Sequence, residues 1–175
     1  MDQNTFWLCE KPDSVGMVGW DAALTRIATW VKLQDKKTGQ ILMVVNTHFD
    51  HIGTEARRNS ALLIIEKIKE IVGTSPAILT GDFNVSEDWD AYKTITNNEF
   101  ILKEAHKVAG KRTGVDFTYH NFGKIPAEKC EKIDFIFVTP QIRVISSYIP
   151  FSQLNDTLFL SDHNPEIVEL EIEKS

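Results

Sequence analysis

The stretch Ala77-Ile78-Leu79-Thr80-Gly81-Asp82-Phe83-Asn84 follows Pro76 and delivers an aspartate and an asparagine two residues apart. On an extended chain that spacing puts Asp82 and Asn84 on one side and turns Phe83 into the core. A carboxylate beside a carboxamide can orient a water and bind an anionic oxygen. Taken alone, the same residues fit a strand ending in an Asx turn about as well. Three other polar points stand where apolar segments stop or dip. His48 follows the apolar run that begins at Gln40, Asp134 lies inside Ile133–Val138, and Asp162-His163 sits in the turn Ser161-Asp162-His163-Asn164-Pro165. A buried carboxylate costs several kcal/mol unless it is paired, and a histidine or a metal is the natural partner. Each point has a plainer reading: a satisfied strand-end histidine for His48, a turn cap for Asp134, a loop Asx residue for Asp162. Recurrence at strand ends on one edge of one sheet weakens those readings. Carboxylates bind a hard cation through oxygen. Histidines and an asparagine can hold phosphate oxygens, and a metal with an oriented water can attack phosphorus in line.

The elements that must carry these residues follow from periodicity. Thr5 to Leu8 reads as a short strand, and Glu10 to Gly19, with Pro12, Gly16 and Gly19, as a loop. Arg26 to Leu33 alternates as a strand, turns at Asp35 to Gly39, and returns through Gln40 to Asn46 as an antiparallel hairpin. Thr54 is a candidate N-cap and Gly73 a stop for a helix whose apolar positions are Ala61, Ile64, Ile65, Ile68, Ile71 and Val72. The strand with Asp82 comes next. Ser86 is a candidate cap for a second helix over Glu87 to Thr96, and Leu102 to Val108 reads as a third, short one. Gly110 to Gly114 reads as a basic turn, Phe117 to Tyr119 as a short strand, and Asn121 to Lys132 as a polar loop. Ile133 to Val138, Val144 to Phe151 and Glu166 to Glu173 are strands. Hairpins alternating with strand–helix–strand units predict an α/β protein with helices outside a sheet.

The chain has 175 residues, 42% hydrophobic and 25% charged, which suits one domain with a real core. Its longest apolar run, Ala61 to Ile65, is far too short to span a membrane. A net charge of −6 argues against a general nucleic-acid coat but leaves room for a phosphate substrate met by a few basic residues or a metal. The two cysteines, Cys9 and Cys130, have no metal-like spacing and read as reduced thiols. Met1 to Asn4 is no signal peptide, so the cytoplasm is the default location, with secretion open if a leader precedes this sequence.

Four segments in order carry a resemblance. Asn46-Thr47-His48-Phe49, Thr80-Gly81-Asp82-Phe83-Asn84, Lys132-Ile133-Asp134-Phe135-Ile136-Phe137 and Leu160-Ser161-Asp162-His163-Asn164-Pro165 resemble the endonuclease/exonuclease/phosphatase superfamily. Thr5-Phe6-Trp7-Leu8 and the stretch from Gly19 to Trp30 look like a bacterial subgroup of it, from about Thr5 to the C-terminus. The resemblance implies a deoxyribonuclease I-like α/β/β/α sandwich of mostly antiparallel mixed sheets. It implies phosphoester hydrolysis dependent on Mg²⁺, or in some members Mn²⁺. By the same resemblance Asp82 orients or deprotonates the attacking water, and Asn84 binds the nucleophile or a phosphate oxygen. Asp162 helps hold the metal, His163 contacts the phosphate and is paired with Asp134, and His48 stabilises the phosphate or the leaving group. Arg26 is a weaker phosphate-contact candidate, a solvated strand-start arginine being its alternative.

Family members are longer, and their N-terminal part brings the first strands and a metal-binding glutamate. Here Glu10 is the only early glutamate, outside any of the motifs. The expectation is therefore a single domain lacking its N-terminal strands, with weak Mg²⁺ binding and with self-association or a missing N-terminal half as its partner. Two functions stay open: a metal-dependent phosphoesterase, and a non-catalytic module that binds a phosphate ligand without the metal glutamate. A small phosphorylated substrate is favoured over long nucleic acid.

Overall fold

Alternating apolar residues build the first hairpin, Ile27–Gln34 (β2) and Ile41–His48 (β3), with Asp2–Trp7 (β1) antiparallel along its outer side. The computed structural model describes residues 2–97, 102–155 and 158–172. After β3 the chain runs through the helix Thr54–Val72 (α1) into Ala77–Asp82 (β4), which pairs parallel with β3. A parallel pair needs such a crossover, and the crossover brings the C-terminal ends of both strands to the same edge of the sheet. The helix Asp90–Thr96 (α2) follows, then the short strand Lys103–Glu104 (β5) and one helical turn, Ala105–Val108 (α3). Next come Lys111–Gly114 (β6), Asp134–Val138 (β7), Ile142–Ile149 (β8), the small pair Gln153–Asn155 (β9) and Leu158–Phe159 (β10), and Ile167–Ile172 (β11).

Among the described residues six strands form one sheet, in the order β1-β2-β3-β4-β7-β5, and three form another, β11-β8-β6. Pairing is antiparallel except at β3–β4 and β6–β8. The two helices α1 and α2 cover one face of the large sheet. There Ile64, Ile68 and Ile95 pack with Leu79, Phe49, Phe83, Phe135 and Phe137 in one buried cluster. The opposite face meets the small sheet through Ile78, Ile136 and Val138 against Ile142, Val144, Val168 and Leu170. This is the α/β class, with a helical layer, the large sheet and the small sheet as three of the four layers that the sandwich leads one to expect. No described helix is long and apolar enough to cross a membrane.

Several local expectations change. Thr54 is the first helical residue rather than the cap; Gly53 holds the cap position and has no side chain to offer. The cap comes from a loop far away in sequence: Asp21 accepts N–H bonds from Ala56 at 2.7 Å and Glu55 at 3.2 Å. A Cβ on Gly53 would lie 2.5 Å from that carboxylate, so the helix start and the loop approach each other only because residue 53 is glycine. The second helix starts at Asp90, and Ser86 instead donates to Glu131 at 2.9 Å. Leu102–Val108 divides into β5 and α3. Lys111–Gly114 is a strand, not a turn; all four of its residues are exposed, so no apolar alternation marks it. Phe117–Tyr119 forms no strand of its own, although Tyr119 makes isolated bridges to Glu131 and His163.

The segment leaving β3 is held by Asp50, which is 1% exposed. Its carboxylate accepts four backbone N–H bonds, from Ala23 (2.8 Å), Leu24 (3.1 Å), Ile52 (2.9 Å) and Gly53 (3.2 Å). Arg57 in α1 donates to its carbonyl at 3.0 Å. One buried side chain thus ties the loop of Asp21 and the start of α1 to the residues just beyond His48. Burial pushes the Asp50 carboxyl up, but the backbone donors outweigh it and bring the pKa down to about 2. A depressed carboxylate stabilises the fold above its ordinary pKa and loses that contribution as pH falls towards the depressed value. Asp50→Asn should lower the unfolding free energy by about 2 kcal/mol at neutral pH. It should also flatten the loss of stability that the native chain shows between about pH 4 and pH 2, read from urea midpoints across that range.

Candidate active site

Strand register puts three polar side chains in one row. His48 at the end of β3 is paired with Asp82 at the end of β4, and Asp82 with Asp134 at the start of β7. Side chains directly opposite on adjacent strands stand about 5 Å apart at Cβ, so the row is a consequence of pairing alone. His48 Nε2 lies 3.3 Å from Asp82 Oδ2. The loop between β10 and β11 adds His163, whose Nδ1 donates to Asp134 Oδ2 at 2.7 Å and whose Nε2 lies 4.0 Å from Asp82 Oδ2. One oxygen of Asp82 therefore sits between two imidazoles.

The approach of β3 and β4 is close at this level. A Cβ on Gly81 would lie 2.1 Å from the Thr47 carbonyl, a spacing only glycine permits. Beyond Asp82 the chain leaves the strand. Asn84 adopts a left-handed conformation, φ 49°, which asparagine tolerates better than most residues. Its N–H donates to Asp82 Oδ1 at 2.9 Å and its side-chain amide to the Phe49 carbonyl at 3.0 Å. The Asx turn and the clustered polar site, alternatives in the sequence, are the same structure. The expected extended alternation stops at Phe83, which is fully buried.

Two residues unmarked by the sequence hold His163 against Asp134. Asn164, 1% exposed, donates its N–H to the Thr118 carbonyl at 2.7 Å and its amide to Phe117 at 3.3 Å, and accepts from Ser152 at 2.8 Å. Thr118, fully buried, accepts the N–H groups of both Ile133 and Asp134 on its hydroxyl, each at 3.0 Å. The Tyr119 ring lies 4.9 Å from that of His163. An asparagine before a proline is a turn signal, but nothing local shows that its side chain is fully buried and bonded.

The neighbourhood separates the two histidines. Burial lowers the His48 pKa, with the Arg26 charge acting the same way and Asp82 against it. The hydrogen bond to Asp134 raises that of His163 against the cost of burial. Burial, then the Asp134 charge, raises the Asp82 carboxyl, while the Asn84 N–H and the imidazoles hold it back. The arrangement offers one imidazole inclined to be neutral, one inclined to be charged, and a carboxylate between them.

Donor atoms of Asp82, Asp134 and His163 all lie within 4.8 Å of one another. Two carboxylates and an imidazole fit a divalent cation whose other positions are taken by water or phosphate oxygen. Asp162 is not in that trio; its carbonyl accepts from His120 and Asn121 at 3.0 and 3.1 Å. Arg26 stands just before β2 with Nη2 3.3 Å from His51 Nδ1. Glu10 lies in the loop after β1 and accepts the Trp20 N–H at 3.1 Å. His48, Asp82 and Asp134 line a cleft of about 460 Å³ together with Asn46, Thr80 and Glu166.

Comparison with known proteins adds four findings. The model of the Endonuclease/Exonuclease/phosphatase family matches residues 8–163. An endonuclease/exonuclease/phosphatase of known structure from Bacteroides vulgatus is 64% identical with a TM-score of 0.94, over 99% of this chain and 66% of its own. A mannosyl-6-phosphatase of Bacteroides thetaiotaomicron is 35% identical with a TM-score of 0.88, over 98% of this chain and 66% of its own. An uncharacterised protein of Acanthamoeba polyphaga mimivirus is 30% identical over 94% of this chain and 63% of its own length. The chain thus spans about two thirds of the length of these relatives.

The glycine between β3 and β4 gives a direct test of the row. Gly81→Ala should cost about 1–3 kcal/mol, the usual penalty of overpacking, seen as a lower urea midpoint.

Proposed function

The chain belongs to the endonuclease/exonuclease/phosphatase family, and from that premise we propose that it is a metal-dependent hydrolase of phosphoester bonds, with water attacking phosphorus in line. The observation that carries the reading is the Asp82 carboxylate set between His48 and His163, beside Asp134. A bound Mg²⁺, or Mn²⁺ in its place, would neutralise phosphate charge and acidify water. Asp82 and Asp134 are the proposed holders, with the adjacent Asp162 as a further carboxylate on the metal side.

The chain's own groups divide the remaining work. Asp82, its carboxyl raised by burial, orients the attacking water and takes its proton. Asn84 steadies that carboxylate through its backbone N–H; its side-chain amide, bonded to the Phe49 carbonyl, has a second N–H to offer the nucleophile or a phosphate oxygen. His163, kept charged by Asp134, contacts the phosphate. His48 stabilises the phosphate or the leaving group from the other side of Asp82, and Arg26 adds a positive charge at longer range. We favour a small phosphorylated substrate, a sugar phosphate first among them. The support is a relative described as a mannosyl-6-phosphatase and a net charge of −6 that disfavours long nucleic acid.

A second reading, a phosphate-binding module without catalysis, draws on the small donor set and on Glu10 being engaged elsewhere. Hexose 6-phosphates, other phosphomonoesters and phosphodiesters, incubated with the chain and Mg²⁺ or Mn²⁺, separate the two. The hydrolase reading expects phosphate release that a chelator abolishes. It also expects Asp82→Asn and His163→Asn to reduce turnover by about 100-fold or more at unchanged melting temperature. Substrate binding that weakens in Asp82→Asn, with no turnover in either form, would instead establish the module.

A further inference from the structure

A buried ion cluster lies directly behind the cleft. Lys132, with its side chain 7% exposed, places Nζ 2.8 Å from Glu166 Oε2 and 3.1 Å from Glu104 Oε1. The two carboxylate side chains are 3% and 1% exposed. The same ammonium donates to the Asp134 carbonyl at 2.9 Å and stands 4.1 Å from the centre of the Phe135 ring. Tyr92 donates to Glu104, and Ser147 bonds both Glu166 and His106. Eight residues, drawn from both sheets and from α2 and α3, are joined around Lys132.

The cluster occupies a gap in the sheet. β5 pairs with β7 at Val138 and Phe137, and among the described residues no strand continues alongside Asp134 on that side. The backbone of Asp134 still needs partners there, because an unpaired buried polar group costs about as much as a lost hydrogen bond. Thr118 takes the N–H and Lys132 the carbonyl. Desolvating one ammonium and two carboxylates rarely adds net stability, since an apolar trio of the same volume often serves as well. A role in placing a neighbour accounts better for its presence.

We propose that Lys132 is a positioning residue: by gripping the Asp134 carbonyl between two buried glutamates it aims the Asp134 carboxylate at His163. The same ammonium binds the carboxylate of Glu166, a residue that lines the cleft with Asp82 and Asp134. For its effect on catalysis the inference rests on the hydrolase reading. Its structural core does not.

The test is accordingly spectroscopic first. A short N–H to carboxylate bond gives the imidazole proton a far-downfield resonance, assigned to His163 by its absence in His163→Asn. The native chain should show it, and Lys132→Met should lose it to exchange. Lys132→Met strands two buried carboxylates and can fail to fold. Lys132→Met/Glu104→Gln/Glu166→Gln removes all three charges at similar volume and is the deciding variant. An unchanged resonance in that variant, folded, overturns the proposal, as does absence of the resonance from the native chain. Neither measurement uses substrate or metal. A native chain that shows the resonance but hydrolyses nothing defeats the hydrolase reading and leaves this one to the variant. Where hydrolysis is observed, the triple variant should lower kcat by about 10- to 100-fold with KM little changed.

Discussion

The 2.7 Å contact between Asp134 and His163 is the interaction on which the site depends, and a single threonine sets it. Thr118 takes two successive N–H groups of the strand that bears Asp134, and its carbonyl takes the N–H of the residue after His163. Carboxylate and imidazole are thus suspended from one buried residue at a distance their own loops do not determine. Charge-assisted bonds of this kind are short and directional. A displacement of half an ångström in either loop would weaken one, so the support must be stiff, and the complete burial of Thr118 makes it so.

Electrostatic balance follows from where the row lies. Asp82 is largely withdrawn from water at a strand end, with a second carboxylate as its register neighbour. Two acids so placed cannot both carry full charge cheaply. The imidazoles on either side relieve that repulsion, and a cation would relieve it further. The reactivity and the metal affinity proposed for the site would thus share one origin, the crowding of like charge on adjacent strands.

Much of this was legible in the sequence, for identifiable reasons. β3, β4, β7 and α1 announce themselves by apolar periodicity, and each carries or flanks a polar residue that the pattern cannot absorb. His48, Asp82, Asp134 and His163 are found together because strand ends at one edge of a sheet converge. The supports were invisible. Asp21 caps α1 from 35 residues away, Thr118 reaches Ile133 across 15, and Lys132 finds Glu166 across 34. Polar groups of this kind lie in loops, where composition says only that the chain turns. β6 escaped notice because exposed Lys111, Arg112 and Thr113 have no apolar face to display. Asn84 was half legible: its proximity to Asp82 was clear, but its left-handed backbone and its bond to Phe49 depend on the path of another strand.

The parallel pairing of β3 with β4 bears on how the site comes into being. His48 and Asp82 meet only after the whole of α1 has folded across the sheet, and Asp134 and His163 only after three more strands are laid down. None of these four side chains meets another of the four through a local turn. Contacts so distant along the chain carry a loop-closure cost before they return any stabilisation, and such topologies fold slowly. A partly folded chain would hold its helix and its first hairpin while presenting four scattered, solvated polar residues. The row of converging side chains would then exist only in the completed fold, and a partly assembled molecule would present none of it.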